Sequence, residues 1–232
     1  MILRKAWRMA RLPFARLPNA WLLLALVVQV LSYPFLDYYR GGRVAIAGFD
    51  LVILALALRA SRAGGHETRL GYVLVVPATA LHVADVFGLN VHGLYAASLI
   101  AQALFHAFVV VCLLRYVLRD EIMTRDELFA AAGLYMLMAF VFAYLYALIE
   151  HLQPDAFVIN AANSPGGMTR WWDLLYFSFT CLTSVGFGEI TPANDHARSL
   201  VMIQQMIGVL YFALVVSRLV TQQGRRLGGR AR

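Results

Sequence analysis

Residues 171–192 read WWDLLYFSFTCLTSVGFGEITP, and the fold turns on them. The apolar stretch Trp171–Leu182 spans about 18 Å as a helix, too short for a bilayer core of about 30 Å. A re-entrant half-helix is therefore expected. After it come Thr183, Ser184, Val185, Gly186, Phe187, Gly188 and Glu189, in which two glycines alternate with larger residues. Glycine tolerates positive φ, so this alternation permits a backbone whose carbonyls all turn one way. Carbonyls turned toward a common axis give a stack of oxygens that replaces the hydration shell of a cation. Irregular backbone at membrane depth is tolerated only where it is buried or lines water. A half-helix with its C-terminal end facing the axis adds partial negative charge, which also favours a cation.

The composition around this stretch agrees with a membrane setting. Of 232 residues, 61% are hydrophobic and 14% charged, whereas soluble domains run near half apolar and a quarter charged. That excludes a disordered chain, a disulfide scaffold and most soluble enzymes. Six apolar runs are expected to span the bilayer, at 19–35, 44–58, 70–89, 91–118, 127–152 and 196–221, the third carrying Pro77 as a kink. The fold class is thus an all-α membrane protein: six transmembrane helices with a re-entrant pore helix and selectivity-filter loop between helices five and six. Cys112 and Cys181 both lie in apolar runs, so neither a disulfide nor a zinc site is expected.

The basic residues give the topology. With both termini inside, the internal segments hold Arg4, Lys5, Arg8, Arg11, Arg16, Arg59, Arg62, Arg69, Arg115, Arg119, Arg125, Arg218, Arg225, Arg226, Arg230 and Arg232. The external ones hold Arg40, Arg43, Arg170 and Arg198. This asymmetry satisfies the positive-inside rule. It also assigns the net charge of +7 to topology rather than to nucleic acid. The first run ends in Leu31-Ser32-Tyr33-Pro34, a poor cleavage site, so it is expected to remain as a spanning helix.

The segment Thr-Ser-Val-Gly-Phe-Gly-Glu resembles the T-x-V-G-[YF]-G-[DE] selectivity filter of potassium channels. Further features extend the resemblance: the aromatic pair Tyr176-Phe177, Pro192 four residues after Gly188, and Gly208 twenty-two residues after Gly186. Gly208 stands where the family often has a hinge glycine in its inner helix. The likeness covers roughly 124–223 and is to small prokaryotic members of the two-span ion-channel family, with four extra N-terminal transmembrane helices. It implies that the carbonyls of Ser184, Val185, Gly186 and Phe187 bind K+, with the Ser184 hydroxyl at the inner end. Thr183 would anchor the pore helix, Gly188 shape the outer mouth, and Glu189 brace it or attract cations. Ser184 replaces the usual threonine, Phe187 the commoner tyrosine and Glu189 the commoner aspartate. One chain carries one filter, so the resemblance implies a homotetramer in a lipid bilayer, with cyclic symmetry. Val209, Phe212, Val216 and Val220 recur at helical spacing; they either line the pore or pack on helix five.

Six spans with a pore after the fifth match the layout of voltage-gated channels, but the fourth run has no internal arginine. The gating charge that voltage sensing needs is missing. Polar groups remain in the second to fourth runs: Asp50 in the second, His82 and Asp85 three apart on one face of the third, and Gln102 and His106 four apart in the fourth. They form either a proton-sensitive cluster or an interhelical hydrogen-bond network, with Asp50, Asp85 and His92 also close to helix ends. Thr124 and Glu127 fit a capping box. Glu150 either braces the pore loop or is a solvated rim carboxylate, and Trp171 and Trp172 suit a membrane interface.

The expected organisation is a cytoplasmic basic N-terminus at 1–18, a four-helix membrane region at 19–118, a linker at 119–126, a pore domain at 127–221 and a basic tail at 222–232. The expected function is passive K+ conduction through a tetrameric pore in the cell membrane of a bacterial-looking host, both termini cytoplasmic. A weakly selective cation channel and a non-conducting scaffold or accessory subunit are the alternatives. No enzymatic motif, nucleotide loop or cofactor site is recognised.

Overall fold

The computed structural model describes residues 17–36, 48–49, 51–53, 55–56, 65–87, 93–119, 124–160 and 170–228. Six helices and one short strand pair follow in order: α1 (Pro18–Leu36), α2 (Gly65–Val86), α3 (Leu94–Arg119), α4 (Arg125–Leu152), β1 (Phe157–Ile159), α5 (Trp171–Leu182), β2 (Ile190–Pro192) and α6 (Asp195–Gly228). Among the described residues four helices are long and apolar enough to cross a membrane: α1, α3, α4 and α6 through Thr221. The sequence led us to expect six. Among the described residues the apolar part of α2 is Arg69–Ala84, shorter than these four. The run at 44–58, with Asp50, lies largely outside the described residues.

Local chemistry sets the helix starts. Pro18 opens α1, where its missing N–H is no loss. Thr124 Oγ1 accepts from the Glu127 N–H at 3.3 Å, and the Glu127 carboxylate accepts from the Thr124 N–H at 2.7 Å. This completes the expected capping box of α4. Asn194 Oδ1 accepts from the Ala197 N–H at 2.8 Å and caps α6. The α6 helix runs on through Gly228, into residues assigned from sequence to the tail.

The core centres on α4, which packs against α1, α3, α5 and α6, while α2 packs on α3. Small residues let neighbours approach closely: Ala130, Ala139 and Ala143 are fully buried. A Cβ on Gly133 would meet Leu22 and Leu26 of α1 at ordinary contact distance. On α3 the buried stripe Ser98, Gln102, Phe105, His106, Val109, Cys112, Leu113 and Val117 follows helical periodicity and faces α4 and α2. Cys112 and Cys181 are both buried.

The strand pair is absent from an all-α expectation. Antiparallel β1 and β2 align Phe157 with Pro192 and Ile159 with Ile190. Asn194 Nδ2 also donates to Gln153 Oε1 at 2.9 Å. These contacts bring the end of α4 to the start of α6, so α5 and its following loop leave and return at the same end of the α4–α6 pair. Glu150 secures that junction by accepting from the N–H groups of Asp155 (3.2 Å) and Phe157 (3.0 Å). The carboxylate thus braces the turn between α4 and β1, which is neither a bond to the 183–189 loop nor a merely solvated rim position.

Candidate ion-conduction site

The helix α5 has the boundaries read from sequence. Asp173 accepts from the Arg170 N–H at 3.0 Å and pairs with the Arg170 guanidinium at 3.3 Å. At the other end Thr183 is the C-cap, its Oγ1 donating to the Phe179 carbonyl at 2.8 Å.

Beyond the cap, the loop N–H groups turn back onto α5. Thr183 N donates to Phe179 O (3.0 Å), Ser184 N to Cys181 O (3.1 Å), and Val185 N (3.0 Å) and Gly186 N (3.4 Å) both to Thr180 O. Positive φ recurs at Ser184 (57°), Gly186 (53°) and Gly188 (80°). Left-handed backbone at every second residue is what the glycine alternation suggested for two of these positions; Ser184 adopts it without being glycine. Among the described residues no backbone N–H donates to the carbonyls of Ser184, Val185, Gly186, Phe187 or Gly188. All six residues from Thr183 to Gly188 are exposed in the single chain, Phe187 to 66%.

The far end of the loop is tied at Glu189, whose carbonyl accepts from the Asn160 N–H at 2.9 Å and whose side chain has a partner on α5. Tyr176 Oη donates to Glu189 Oε2 at 3.0 Å. This bond supplies a tether that Phe187, lacking a hydroxyl, cannot.

Two transverse contacts fix α5 between α4 and α6. In the first, Tyr135 Oη donates to the Leu182 carbonyl at 2.9 Å, and a Cβ on Gly208 would lie 2.3 Å from that same oxygen. In the second, Ser178 Oγ donates to the Ala139 carbonyl at 2.7 Å, while Gln204 Nε2 donates to Ser178 Oγ (2.7 Å) and to Ser178 O (3.0 Å). Tyr146 Oη completes the second by donating to Gln204 Oε1. Residues 135 and 139, 178 and 182, and 204 and 208 are each one helical turn apart, so the contacts act as two rungs across three helices.

Gly208 therefore has a packing reason to be glycine, the close passage of α6 past the end of α5. Val209, Phe212, Val216 and Val220 are exposed to between 39% and 68% in the single chain, rather than packed on α4. A cavity of about 750 Å³ opens beneath the loop, with Thr183, Ser184, Gly208 and Phe212 in its lining. Sequence reading missed Ser178, Gln204, Tyr135 and Tyr146. A glutamine inside a spanning helix was the available signal.

The N-terminal helices meet this region through aromatic contacts. Tyr33 of α1 stacks on Trp172 with centroids 4.3 Å apart and touches Trp171 at 5.7 Å. His106 and Gln102 are buried; His106 Nδ1 lies 2.8 Å from the Gln102 carbonyl, and its ring packs on Phe140 and Tyr144. His82 is half-buried on α2, and Asp50 and His92 lie outside the described residues.

Residues 130–222 match a family model described as "Ion channel". The match covers less than half of the chain and takes in most of α4, all of α5 and its loop, and α6 to its basic end. A stretch of 59 residues, 25% of this chain, is 30% identical to the potassium voltage-gated channel protein eag of Drosophila melanogaster and covers 5% of that protein. A stretch of 102 residues, 44% of this chain, is 28% identical to Protein LctB of Geobacillus stearothermophilus and covers 75% of it. The chain thus spans only a small fraction of the first of these relatives. With its apolar helices, these likenesses support a multi-pass membrane protein with an ion-channel region.

Proposed function

We propose that the chain is one subunit of a passive potassium-selective channel, in which four copies surround an axis lined by the carbonyls of Ser184, Val185, Gly186 and Phe187. The observation that carries this reading is the left-handed backbone at every second residue from Ser184 to Gly188, with the N–H groups of Ser184, Val185 and Gly186 tied back to α5. Such a backbone frees carbonyls on its other side to replace water around a cation. An exposed, unpaired run of this kind cannot face lipid. Further copies of the chain around it, enclosing water and ions, remove that conflict, and a closed ring follows from one filter per chain. The name of the eag relative, a potassium channel, agrees with the choice of ion.

In this reading 127–221 is the pore domain and α5 is re-entrant. The face carrying Val209, Phe212, Val216 and Val220 lines the pore below the filter, where an apolar constriction gates by dewetting. Gly208 is the point above which α6 is held and below which it moves. Glu189, tethered by Tyr176, shapes the outer mouth next to Gly188. A weakly selective cation channel is the second reading, favoured by the serine at 184 and by Phe187, which lacks a tethering hydroxyl.

The test is ion flux into liposomes holding the full chain, under a potassium and then a sodium gradient, with Gly186→Asp in parallel. Potassium flux far above sodium flux, lost in the variant, is the expected result. Equal sodium flux, also lost in the variant, selects the second reading. Absence of flux from the wild-type chain overturns both.

A further inference from the structure

The second rung has a consequence for ion discrimination. Gln204, Ser178 and Tyr146 are each fully buried, and they come from three different helices. Their donors and acceptors match: both Gln204 amide hydrogens go to Ser178, to its carbonyl at 3.0 Å and its hydroxyl at 2.7 Å. The Gln204 side-chain carbonyl accepts a hydrogen bond from the Tyr146 hydroxyl, and the Ser178 hydroxyl donates one to Ala139 O at 2.7 Å. A buried polar set of this kind is stable only when complete, because each orphaned group keeps its desolvation penalty. It specifies one relative placement of the helices more tightly than apolar packing does.

What that placement controls is visible in the backbone. The loop hangs from the carbonyls of Phe179, Thr180 and Cys181, which accept the N–H groups of Thr183 to Gly186. These three residues lie between Ser178 and Leu182, the two points of α5 gripped by the rungs. The contact of α6 at Leu182 is the steric approach of Gly208, which limits approach but does not pull. At Ser178 the contact is a pair of hydrogen bonds, which does. A binding constellation needs its supporting residues fixed to within about half an ångström, and α5 is the support of this loop.

We infer that Gln204 is a positioning residue for the selectivity filter: by holding Ser178 against α6 it sets the height and rotation of α5, and with them the carbonyl spacing that separates K+ from larger or smaller alkali cations. This rests on the channel reading above. It also makes α6 a two-part element, whose outer turn is fastened to the filter support and whose inner part is not, so a displacement of α6 above Gly208 registers directly in the filter.

The experiment compares K+ and Na+ flux in liposomes for the full-length wild type, Gln204→Leu, Tyr146→Phe, and the combination Gln204→Leu, Ser178→Ala and Tyr146→Phe. Thermal midpoints of the same detergent-solubilised proteins are recorded alongside. Gln204→Leu leaves the buried Tyr146 hydroxyl without its acceptor and takes from Ser178 both bonds to α6, so it lowers both the midpoint and the K+/Na+ flux ratio. The ratio falls by about fivefold, the factor set by one net hydrogen bond. In the combination no polar group is left unpaired, so the midpoint recovers while the ratio stays low. That separation marks positioning as distinct from stability. Tyr146→Phe, which removes one hydroxyl, shifts the ratio in the same direction by less. A combination variant that folds and discriminates like the wild type overturns the inference. If neither leucine variant folds, a wild-type ratio in Tyr146→Phe overturns it. Failure of the wild type itself to carry K+ falls on the channel reading instead, so the two failures are told apart by which protein fails.

Discussion

Tyr135 donates its hydroxyl proton to the Leu182 carbonyl at 2.9 Å, and that same oxygen lies 2.3 Å from the place a side chain at position 208 would occupy. The last carbonyl of α5 is thereby gripped by α4 on one side and overlaid by α6 on the other. An orphan acceptor at a helix end gains a partner, and three helices meet where the 183–189 loop begins.

Gly208→Ala tests this meeting point. A methyl group there meets backbone, not a flexible side chain, so α6 must move outward. The expected cost is about 1–3 kcal/mol, the range for overpacking, only partly offset by the better helix propensity of alanine. It appears as a lowered thermal midpoint of the solubilised protein. A midpoint equal to or above that of the wild type would contradict the packing role and leave a hinge as the reason for glycine.

Tyr176→Phe removes the hydroxyl that reaches Glu189 at 3.0 Å. The bond has a charged acceptor and is exposed, so its loss is expected to change stability little and loop geometry more. The K+/Na+ flux ratio is predicted to fall, by a factor of about two to five for a bond of modest net strength. Glu189→Gln keeps an acceptor in place and is expected to fall less. A larger loss in Glu189→Gln than in Tyr176→Phe would point to the charge of Glu189 rather than to the tether.

Asp126 joins three elements away from the 183–189 loop. It accepts from the Asn19 N–H at 3.1 Å, the Asn19 side-chain amide at 2.7 Å and the Tyr116 hydroxyl at 3.0 Å. The carboxylate sits at the N-terminus of α1, where the helix dipole favours negative charge. Asp126→Ala leaves buried donors unpaired and is expected to destabilise by about 2–3 kcal/mol. Limited proteolysis between α1 and α4 should speed up together with the drop in thermal midpoint. Unchanged values for both would show that the N-terminal helix is held without this anchor.

Thr124→Ala removes half of a capping box whose two bonds measure 3.3 and 2.7 Å. A loss of about 1 kcal/mol is expected, seen as a small decrease in thermal midpoint with the K+/Na+ ratio unchanged. A changed ratio would mean that the start of α4 is coupled to the filter, through the rungs at Tyr135 and Ala139.

Parts of this arrangement were open to sequence reading because they depend on near neighbours. The α5 bounds follow from an apolar run too short to span. The capping box of α4 is a four-residue pattern. The glycine alternation needs only the permissive backbone of Gly186 and Gly188, and the positive φ of Ser184 is an addition that residue type did not signal. The role of Glu150 stayed open because it depends on where the chain goes after α4. The β1–β2 pair, three residues a strand, is too brief to carry a periodic signal.

By itself the sequence determined the local elements: membrane-length apolar helices, a half-helix with fixed ends, and a loop whose residues permit alternating backbone hand. Those follow from rules that act over a few residues. Only the tertiary structure decided that Tyr146, Ser178 and Gln204, far apart in sequence, share one buried hydrogen-bonded set between α4, α5 and α6. It also decided that Gly208 serves a close approach. The physical reason is that a buried amide or hydroxyl must find partners wherever the fold supplies them. Periodicity says which residues are buried, not which one of another helix will face them.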